Sequence, residues 1–231
     1  QVADAITASD PDIIALQEYF SEQRAGLHER LIGDYPYFAD CSGGRRAAIA
    51  IYARIPFTVT NDSFCPDNIA LDENRVAWLA AEFADGNGST FTVVTTHLNW
   101  PIQIGPLFDG RLSWPARIDA MSSRKADEYR EVTAALDQIE GPLLLVGDFN
   151  ATPWSYELRR FAERSGLTRQ THNLFTYPAR FYIGTWRRTP PFLPLDHLMT
   201  RGDVLIHSAE TADPAGSDHK ALVSEFSLAI P

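Results

Sequence analysis

The pattern of apolar and polar positions predicts a chain in which short strands alternate with helices. Short apolar runs bounded by turn-forming residues predict strands over residues 12–18, 47–52, 76–83, 91–97, 143–146, 195–200 and 221–228. Apolar residues at helical spacing predict helices over residues 2–10 and 117–139, and two further helices are expected over residues 21–31 and 155–165. Pro11 and Pro142 are expected to end the first and third helices. The fourth helix is expected to have a cap near Thr152, with Pro153 at its first position.

The connections between these elements indicate the architecture. Gly86, Asn87 and Gly88 separate two predicted strands and favour a β-hairpin. Residues 100–115 contain proline and tryptophan in an irregular pattern, which predicts a long surface loop of the kind that often carries function. The mixture of helices and strands suggests helices packed outside paired sheets. With 231 residues and no internal repeat or linker, we expect a single domain over residues 1–231.

Charge limits the classes of partner. The formal net charge is −10, which opposes binding to a polyanion such as DNA. Duplex-binding proteins usually have a basic face, and here the basic residues form only short pairs at 45–46, 159–160 and 187–188. A divalent cation can make the electrostatic potential positive inside one cleft. The net charge is therefore compatible with an enzyme that acts on phosphate esters, and nucleic acid is possible as a substrate but is not indicated. No apolar run approaches the ~20 residues that span a bilayer.

The chain has two cysteines, Cys41 and Cys65. They can form a disulfide in an oxidising compartment, or they can be two buried thiols. Neither has the spacing of a metal ligand, so the sequence leaves both alternatives open.

Polar residues that can bind metal or phosphate lie at the ends of five predicted strands. These groups are Gln17-Glu18, His97-Leu98-Asn99, Gly147-Asp148-Phe149-Asn150, Asp196-His197 and Ser217-Asp218-His219. Ligands in layered α/β folds gather at strand ends. Several converging carboxylates repel each other, so a bound cation is expected. Carboxylates with two imidazoles and no nearby cysteine favour Mg²⁺ or Mn²⁺ over Zn²⁺.

Each of these groups also has an ordinary structural interpretation. Glu18 can be a solvated acid at a strand end, and His97 can be a hydrogen-bonded core histidine. Asp148 and Asn150 form a common turn pair, because both side chains bond to their own backbone. The structural interpretation loses weight because all the groups occur together in this order.

Five segments resemble those of the endonuclease/exonuclease/phosphatase superfamily, in the order found there: PDIIALQE, TTHLNW, VGDFNATPWS, LDHLMT and GSDHKALV. The resemblance spans residues 11–226, and GDFN and GSDH are its most specific parts. That superfamily includes DNase-I-like nucleases, apurinic-site endonucleases, sphingomyelinases and inositol-polyphosphate phosphatases. The resemblance implies an α+β fold, a DNase-I-like four-layer α/β/β/α sandwich, and a phosphoesterase that depends on Mg²⁺ or Mn²⁺. It also implies that the family's first strand, which ends in a metal-side asparagine, is missing here.

The resemblance implies a role for each matching residue. Glu18 and Asp218 would bind the metal ion. Asp148 would orient and deprotonate the attacking water, while Asn150 would fix that water and a phosphate oxygen.

The two histidines would face the phosphate. His219 would contact it, with Asp196 holding the imidazole by a hydrogen bond. His97 would donate to the phosphate or to the leaving oxygen. Some DNase-I-like members pair this histidine with a glutamate, but the comparable strand here reads Asn74-Arg75-Val76, so no carboxylate partner of His97 is predicted.

The substrate stays open, because loops outside the shared centre determine it. Aromatic residues and arginines in residues 100–115 and 175–193 can stack bases, bind a phosphorylated head group, face lipid or simply pack. Nucleic acid, a small or lipid phosphodiester, and a phosphomonoester such as a lipid or inositol phosphate are therefore the candidates. A catalytically silent binding module is the rival class, and it would have no use for this set of residues. The sequence contains no serine esterase elbow, zinc protease motif or P-loop.

Overall fold

The computed structural model describes residues 1–41, 48–65, 76–86, 88–100, 114–179, 181–183, 187–212 and 216–229. Its helices are α1 (Val2–Ser9), α2 (Ser21–Leu31), α3 (Trp114–Leu136) and α4 (Tyr156–Arg164). Its strands are β1 (Ile13–Gln17), β2 (Tyr37–Cys41), β3 (Ile49–Ala53), β4 (Phe57–Val59), β5 (Trp78–Ala84), β6 (Thr90–His97), β7 (Leu143–Asp148), β8 (Thr168–Arg169), β9 (Phe181–Ile183), β10 (Arg187–Thr189), β11 (Asp196–Arg201), β12 (Val204–Ala212) and β13 (Ala221–Leu228). Most of the predicted surface loop, residues 101–113, lies outside the described residues. None of the described helices is long and apolar enough to cross a membrane.

Strand pairing produces two main sheets. The larger sheet has six strands in the order β4-β5-β6-β7-β11-β8, in which β6 and β7 are parallel and the other neighbours are antiparallel. The smaller sheet has three antiparallel strands in the order β1-β3-β2. β12 pairs with β13, and β9 pairs with β10, as separate antiparallel ribbons. The predicted hairpin is present, because β5 and β6 are antiparallel neighbours.

The two main sheets pack face to face around an apolar core. Ile49 of β3 packs in one buried cluster with Leu79 and Phe83 of β5. The β12–β13 ribbon joins the same cluster through Phe226, whose ring centre lies 5.5 Å from that of Phe91. Burial of these large apolar side chains is the main contribution that holds the sheets together.

Two helices cover the outer face of each sheet. α3 and α4 pack on the six-stranded sheet through Tyr129, Leu136 and Phe161. α1 and α2 pack on the three-stranded sheet around Tyr52 and Leu31. The order of layers is therefore α/β/β/α, which confirms the fold class implied by the sequence resemblance.

The structure corrects two predicted helix boundaries. Ser155, not Thr152, caps α4, because its extended backbone lets Oγ accept a hydrogen bond from the Leu158 N–H at 3.1 Å. Pro153 therefore precedes the helix. α3 begins before the predicted start at residue 117, so Pro115 lies in its first turn, where a missing N–H costs no helical hydrogen bond.

Several strands were not predicted from the sequence. β2, β4 and β8 are at the edges of their sheets, where short strands carry only a weak apolar pattern. β12 has an irregular register between Ile206 and Ser208. Such a bulge shifts the two-residue alternation on which strand prediction depends.

A disulfide joins Cys41, at the end of β2, to Cys65. It supports the first of the two alternatives that the sequence left open. Because the bond links residues 24 positions apart, we expect replacement of both cysteines by serine to lower the free energy of unfolding by about 2–4 kcal/mol. Denaturant unfolding of the oxidised protein, the reduced protein and the double variant measures this. The reduced protein and the double variant should agree, and equal stability of all three forms would contradict the expectation.

Candidate active site

Strand register places three predicted site residues side by side at one end of the central strands of the six-stranded sheet. We call this end the catalytic edge. His97 at the end of β6 lies opposite Asp148 at the end of the parallel strand β7. Asp196 begins β11 and lies opposite Asp148 on its other side, because β7 and β11 are antiparallel. Residues far apart in the sequence thus form one row at the edge where loops and ligands gather.

The turn after β7 is shaped by the same residues that carry its chemistry. Oδ1 of Asp148 accepts a hydrogen bond from the Asn150 N–H at 2.7 Å. Asn150 has a left-handed φ of 47°, and its side-chain amide donates to the Leu98 carbonyl at 2.9 Å. At Gly147, an added Cβ would lie 1.9 Å from the carbonyl oxygen of Thr96. Only glycine therefore lets β6 and β7 approach this closely. The glycine of the GDFN segment is required by the packing of the strands, whereas Asp148 and Asn150 supply its chemistry.

His219 and Asp196 form a hydrogen-bonded pair. Nδ1 of His219 lies 2.8 Å from Oδ2 of Asp196, and Nδ1 donates because a carboxylate only accepts. Burial by itself lowers the pKa of His219, but the hydrogen bond and charge of Asp196, followed by the charges of Asp148 and Asp218, raise it to about 9. Nε2 lies 4.0 Å from Oδ2 of Asp148. The contact expected from the sequence is present, and it directs a protonated imidazole towards Asp148.

His97 has contacts that the sequence did not reveal. Its Nε2 lies 3.5 Å from Oδ2 of Asp148 and 3.3 Å from Nδ2 of Asn150. Burial, followed by the charges of Lys125 and His219, lowers the pKa of His97 to about 4. The imidazole is therefore neutral at pH 7. Its carboxylate neighbour comes from the adjacent parallel strand, through a register that no local pattern predicts.

The electrostatics of the centre suit a cation. Burial, followed by repulsion from Asp196, raises the pKa of Asp148. Ligand atoms of Asp148, Asp196 and His219 all lie within 4.8 Å of one another, a group that could hold a metal ion. Oδ1 of Asn150 is buried and has no hydrogen-bond partner among the residues that the structure describes. A divalent ion would restore the ionised carboxylate and use oxygen donors of this kind, so the residues fit Mg²⁺ or Mn²⁺.

Glu18 and Asp218, the predicted metal ligands, lie outside that group of three. Glu18 follows β1 with an exposed side chain and a left-handed φ of 55°. The preceding Gln17 donates from Nε2 to Oγ1 of Thr95 in β6 at 2.9 Å, which joins the end of β1 to the six-stranded sheet. Asp218 adds to the charges that raise the pKa of His219. Their assignment as metal ligands stays a prediction.

Two further residues, Tyr177 and Lys125, lie near the centre without having been assigned to it from the sequence. The ring centre of Tyr177 lies 4.8 Å from that of His219 and 5.8 Å from that of Trp100. Lys125 of α3 is buried, and its Nζ donates to the Phe149 carbonyl at 3.0 Å. The sequence offered one indication of Lys125, which is its position on the inner face of a predicted helix. Lysine is rarely buried without a partner, so a lysine at such a position indicates a polar contact inside the protein. Tyr177 belongs to the aromatic residues of 175–193 that the sequence indicated as possible substrate contacts, but no local pattern placed it beside His219.

His197 holds the turn after β7 against β11. It is fully buried, with Nε2 2.8 Å from the Ala151 carbonyl oxygen and Nδ1 3.4 Å from Oγ1 of Thr171. Burial lowers its pKa to about 4, so the ring is neutral, Nε2 donates to the carbonyl and Nδ1 accepts from the hydroxyl. The ring also meets Phe149 edge to face at 5.5 Å. The residues on both sides of Asn150 are thus tied to His197.

We expect His197→Leu to lower kcat on the order of ten-fold with little change in KM, because the turn that carries Asn150 loses its anchor. His197→Gln should retain most of the rate, since its amide nitrogen can replace the donor to Ala151. Steady-state kinetics and thermal unfolding of both variants separate positioning from general stability. Equal kcat values for the two variants would show that the hydrogen bond from His197 to the Ala151 carbonyl does not position Asn150.

A cavity of about 320 Å³ opens beside Asn150. Its walls come from the segment after β6, from α3, from the turn after β7 with the start of α4, and from the segment before β11. They include Trp100, Lys125, Thr152, Glu157 and Leu195. The volume lies at the lower end of the range of small-ligand sites. The cavity therefore has room for part of a substrate next to the row of polar residues.

Comparison with known proteins gives one consistent family. The sequence profile described as "Endonuclease/Exonuclease/phosphatase family" matches residues 1–219. A search of curated proteins finds no match.

Solved structures of the same fold are similar to the chain at low sequence identity. A protein described as endonuclease/exonuclease/phosphatase from Beutenbergia cavernae is 17% identical with a TM-score of 0.67, covering 98% of this chain, which spans 65% of that protein's length. A mannosyl-6-phosphatase from Bacteroides thetaiotaomicron is 18% identical with a TM-score of 0.61, covering 98% of this chain and 89% of its own. Sphingomyelinase C from Streptomyces griseocarneus is 18% identical with a TM-score of 0.59, covering 97% and 86%.

Proposed function

The chain belongs to the endonuclease/exonuclease/phosphatase family, and from this premise we propose that it hydrolyses phosphate esters with Mg²⁺ or Mn²⁺ as cofactor. One observation carries the proposal. The carboxylate of Asp148 lies within 4.0 Å of both His97 and His219, and Asp196 binds the far side of His219. An ionised carboxylate that can accept a proton, beside a positively charged hydrogen-bond donor, is the combination that hydrolysis of an anionic ester requires.

Asp148 is the residue that activates water. Its Oδ1 is held by the Asn150 N–H, which leaves Oδ2 to accept a proton from a water molecule aimed at phosphorus. The Asn150 side chain is fixed by the Leu98 carbonyl and orients that water and a phosphate oxygen. Water attacks phosphorus, and its proton passes to Asp148. The bond between phosphorus and the ester oxygen breaks, and that oxygen takes up a proton from solvent and leaves as the alcohol.

His219 binds the charge of the phosphate. With its pKa raised to about 9 it is protonated at neutral pH, and its Nε2–H faces the centre while Nδ1–H is bound to Asp196. His97 is neutral, so it can donate a hydrogen bond to the phosphate or leaving oxygen but does not add a positive charge. Asp196 acts by keeping His219 charged and in place.

The cofactor would be held by Glu18 and Asp218 from the family motifs, with Asp148 and the free Oδ1 of Asn150 beside it. A bound divalent ion supplies positive charge where negative charge develops on the phosphate. Its presence also lowers the cost of placing Asp148 and Asp196 side by side, since two close carboxylates otherwise repel.

A small or lipid phosphate ester fits the chain better than a nucleic acid duplex. The net charge of −10 disfavours a polyanion. A cavity of about 320 Å³ beside Asn150 accommodates a small alcohol group. Similar structures include a sphingomyelinase C and a mannosyl-6-phosphatase, which act on a diester and a monoester by their names, so both ester types are candidates.

Hydrolysis assays test the proposed function. Plasmid DNA, abasic DNA, sphingomyelin, phosphoinositides, a sugar monophosphate and bis(4-nitrophenyl) phosphate are each incubated with Mg²⁺, with Mn²⁺ and with EDTA. We expect hydrolysis of at least one ester other than duplex DNA, dependent on the metal. No hydrolysis of any ester in either metal, or hydrolysis unaffected by EDTA, would overturn the proposal.

Glu18→Ala should raise the metal concentration needed for half-maximal rate about ten- to a hundred-fold, because it removes one proposed ligand. Saturating Mg²⁺ should restore part of the rate. Titration of the rate with Mg²⁺ measures this, with Glu22→Ala on the exposed side of α2 as the control. An unchanged metal requirement would remove Glu18 from the metal site.

A further inference from the structure

Five aromatic side chains are exposed on segments that leave the catalytic edge of the six-stranded sheet. They are Trp100 after β6, Trp154 and Tyr156 around the start of α4, and Phe175 and Phe192 between β8 and β11. In the described part of the chain, Tyr37 is the one other exposed aromatic side chain. Single exposed apolar residues need no explanation, but a group on one edge indicates an interaction surface.

We call these five residues the aromatic rim, because the segments that carry them also carry residues that line the cavity beside Asn150. Trp100 lines the cavity itself. Trp154 and Tyr156 alternate along the chain with Ser155 and Glu157, which line it.

The described residues between β8 and β11 carry the other two members of the rim, Phe175 and Phe192. The Phe192 N–H donates to the Tyr177 carbonyl at 3.0 Å, and the ring of Tyr177 contacts Trp100. Phe175 precedes Thr176, whose Oγ1 accepts from the Leu195 N–H, and Leu195 lines the cavity. The rim residues and the cavity lining therefore lie on the same segments of the chain.

Charge and composition decide which partner fits this surface. A chain with net charge −10 is repelled by polyanions and by anionic membranes. Tryptophan and tyrosine favour the boundary between water and hydrocarbon, because each has an apolar body and a polar tip. Tyr156 has such a tip in contact with a cation, since Nη1 of Arg160 donates to its hydroxyl at 2.9 Å. A zwitterionic lipid surface matches both the aromatic side chains and the acidic charge.

We propose that the aromatic rim docks the protein on a zwitterionic bilayer, so that the phosphate ester it hydrolyses is carried by a lipid. The inference rests on the proposed function only in taking the reaction to be hydrolysis of a phosphate ester. Docking through the rim places the cavity mouth and the row of His97, Asp148 and Asp196 against the head groups. A lipid head group then reaches the centre without leaving the bilayer.

Vesicle binding tests the inference without catalysis. The full chain with Asp148→Asn, which prevents turnover, is sedimented with phosphatidylcholine vesicles and with vesicles that also contain phosphatidylglycerol. We expect binding to phosphatidylcholine and weaker binding when the anionic lipid is added. Trp154→Ala and Phe192→Ala should each lower the partition coefficient about ten-fold or more, because a large aromatic side chain no longer enters the interface.

Tyr37→Ala is the matched control. Tyr37 is an exposed aromatic residue, but β2 pairs it with Ala53, which also pairs with Ile13 at the end of β1 remote from Gln17. Its removal should leave vesicle binding unchanged, and thermal unfolding should show that all three variants are folded.

Several outcomes would overturn the inference. They are no binding to phosphatidylcholine, an equal loss in Tyr37→Ala, stronger binding to the anionic vesicles, or self-association through Trp154 in place of vesicle binding. Failure of the two proposals is distinguishable. A chain that binds vesicles but hydrolyses no ester refutes the proposed function alone, and a chain that hydrolyses soluble esters but ignores vesicles refutes the docking surface alone.

Discussion

Asp148→Asn is expected to lower kcat for any hydrolysed ester by about 10²- to 10⁴-fold, the contribution typical of a general base. The amide keeps the shape of the side chain and an Oδ1 acceptor for the Asn150 N–H, but it cannot accept the proton of the attacking water. KM should change little, because the phosphate is bound mainly by His219 and the metal. Steady-state kinetics at saturating Mg²⁺ measure both parameters.

The same variant should fold at least as well as the parent. Burial and the Asp196 carboxylate raise the pKa of Asp148, so its ionised form opposes folding at neutral pH in the absence of metal. Removing that charge should leave the Tm unchanged or raise it. Asp137→Asn, an exposed acid beyond α3, is the control with the same loss of charge. Full activity of Asp148→Asn would exclude the proposed mechanism, whatever the stability of the variant.

Asp196→Asn is expected to lower kcat about ten- to a hundred-fold at neutral pH and to move the alkaline limb of the pH profile. Asp196 raises the pKa of His219 by its hydrogen bond and its charge. Without that charge, the pKa of His219 falls. The protonated form is the one that binds phosphate, so activity is lost as pH rises, and in the variant the loss begins at a lower pH. A profile of kcat/KM against pH for the parent and the variant tests this.

A double-variant cycle distinguishes this role from a structural one. If Asp196 acts through the imidazole, Asp196→Asn should add little to the loss already caused by His219→Gln. Asp203→Asn, an exposed acid in the turn after β11, controls for net charge. Additive losses in the double variant, or an unmoved alkaline limb, would show that Asp196 contributes to the centre by another route.

The sequence by itself determined those helices and strands that depend mainly on their own residues and not on contacts with distant parts of the chain. α2 and β13 begin and end at the predicted residues, Ser21–Leu31 and Ala221–Leu228, because α2 consists mainly of good helix formers without proline and β13 is a short run rich in apolar residues. The edge strand β2 was missed, because its stability depends on pairing with β3, which is a non-local contact. The cap of α4 was misplaced for a similar reason. Thr152 and Ser155 both offer a suitable oxygen, and only the direction of the chain entering the helix selects Ser155.

The chemistry of the site divides in the same way. The segments GDFN, LDHLMT and GSDH identify Asp148, Asn150, Asp196 and His219 because side-chain chemistry is a local property of the sequence. The sequence also carried the family, through the order of these segments along the chain.

Only the tertiary structure decided which of these groups meet. Register across β6, β7 and β11 brings His97 beside Asp148, a neighbour that the sequence did not indicate. The anchoring role of His197 and the raised pKa of His219 likewise come from packing, because burial and distance are set by the whole fold. A sequence specifies each side chain, but the electrostatic environment of that side chain depends on neighbours that only strand pairing and layer packing bring within reach.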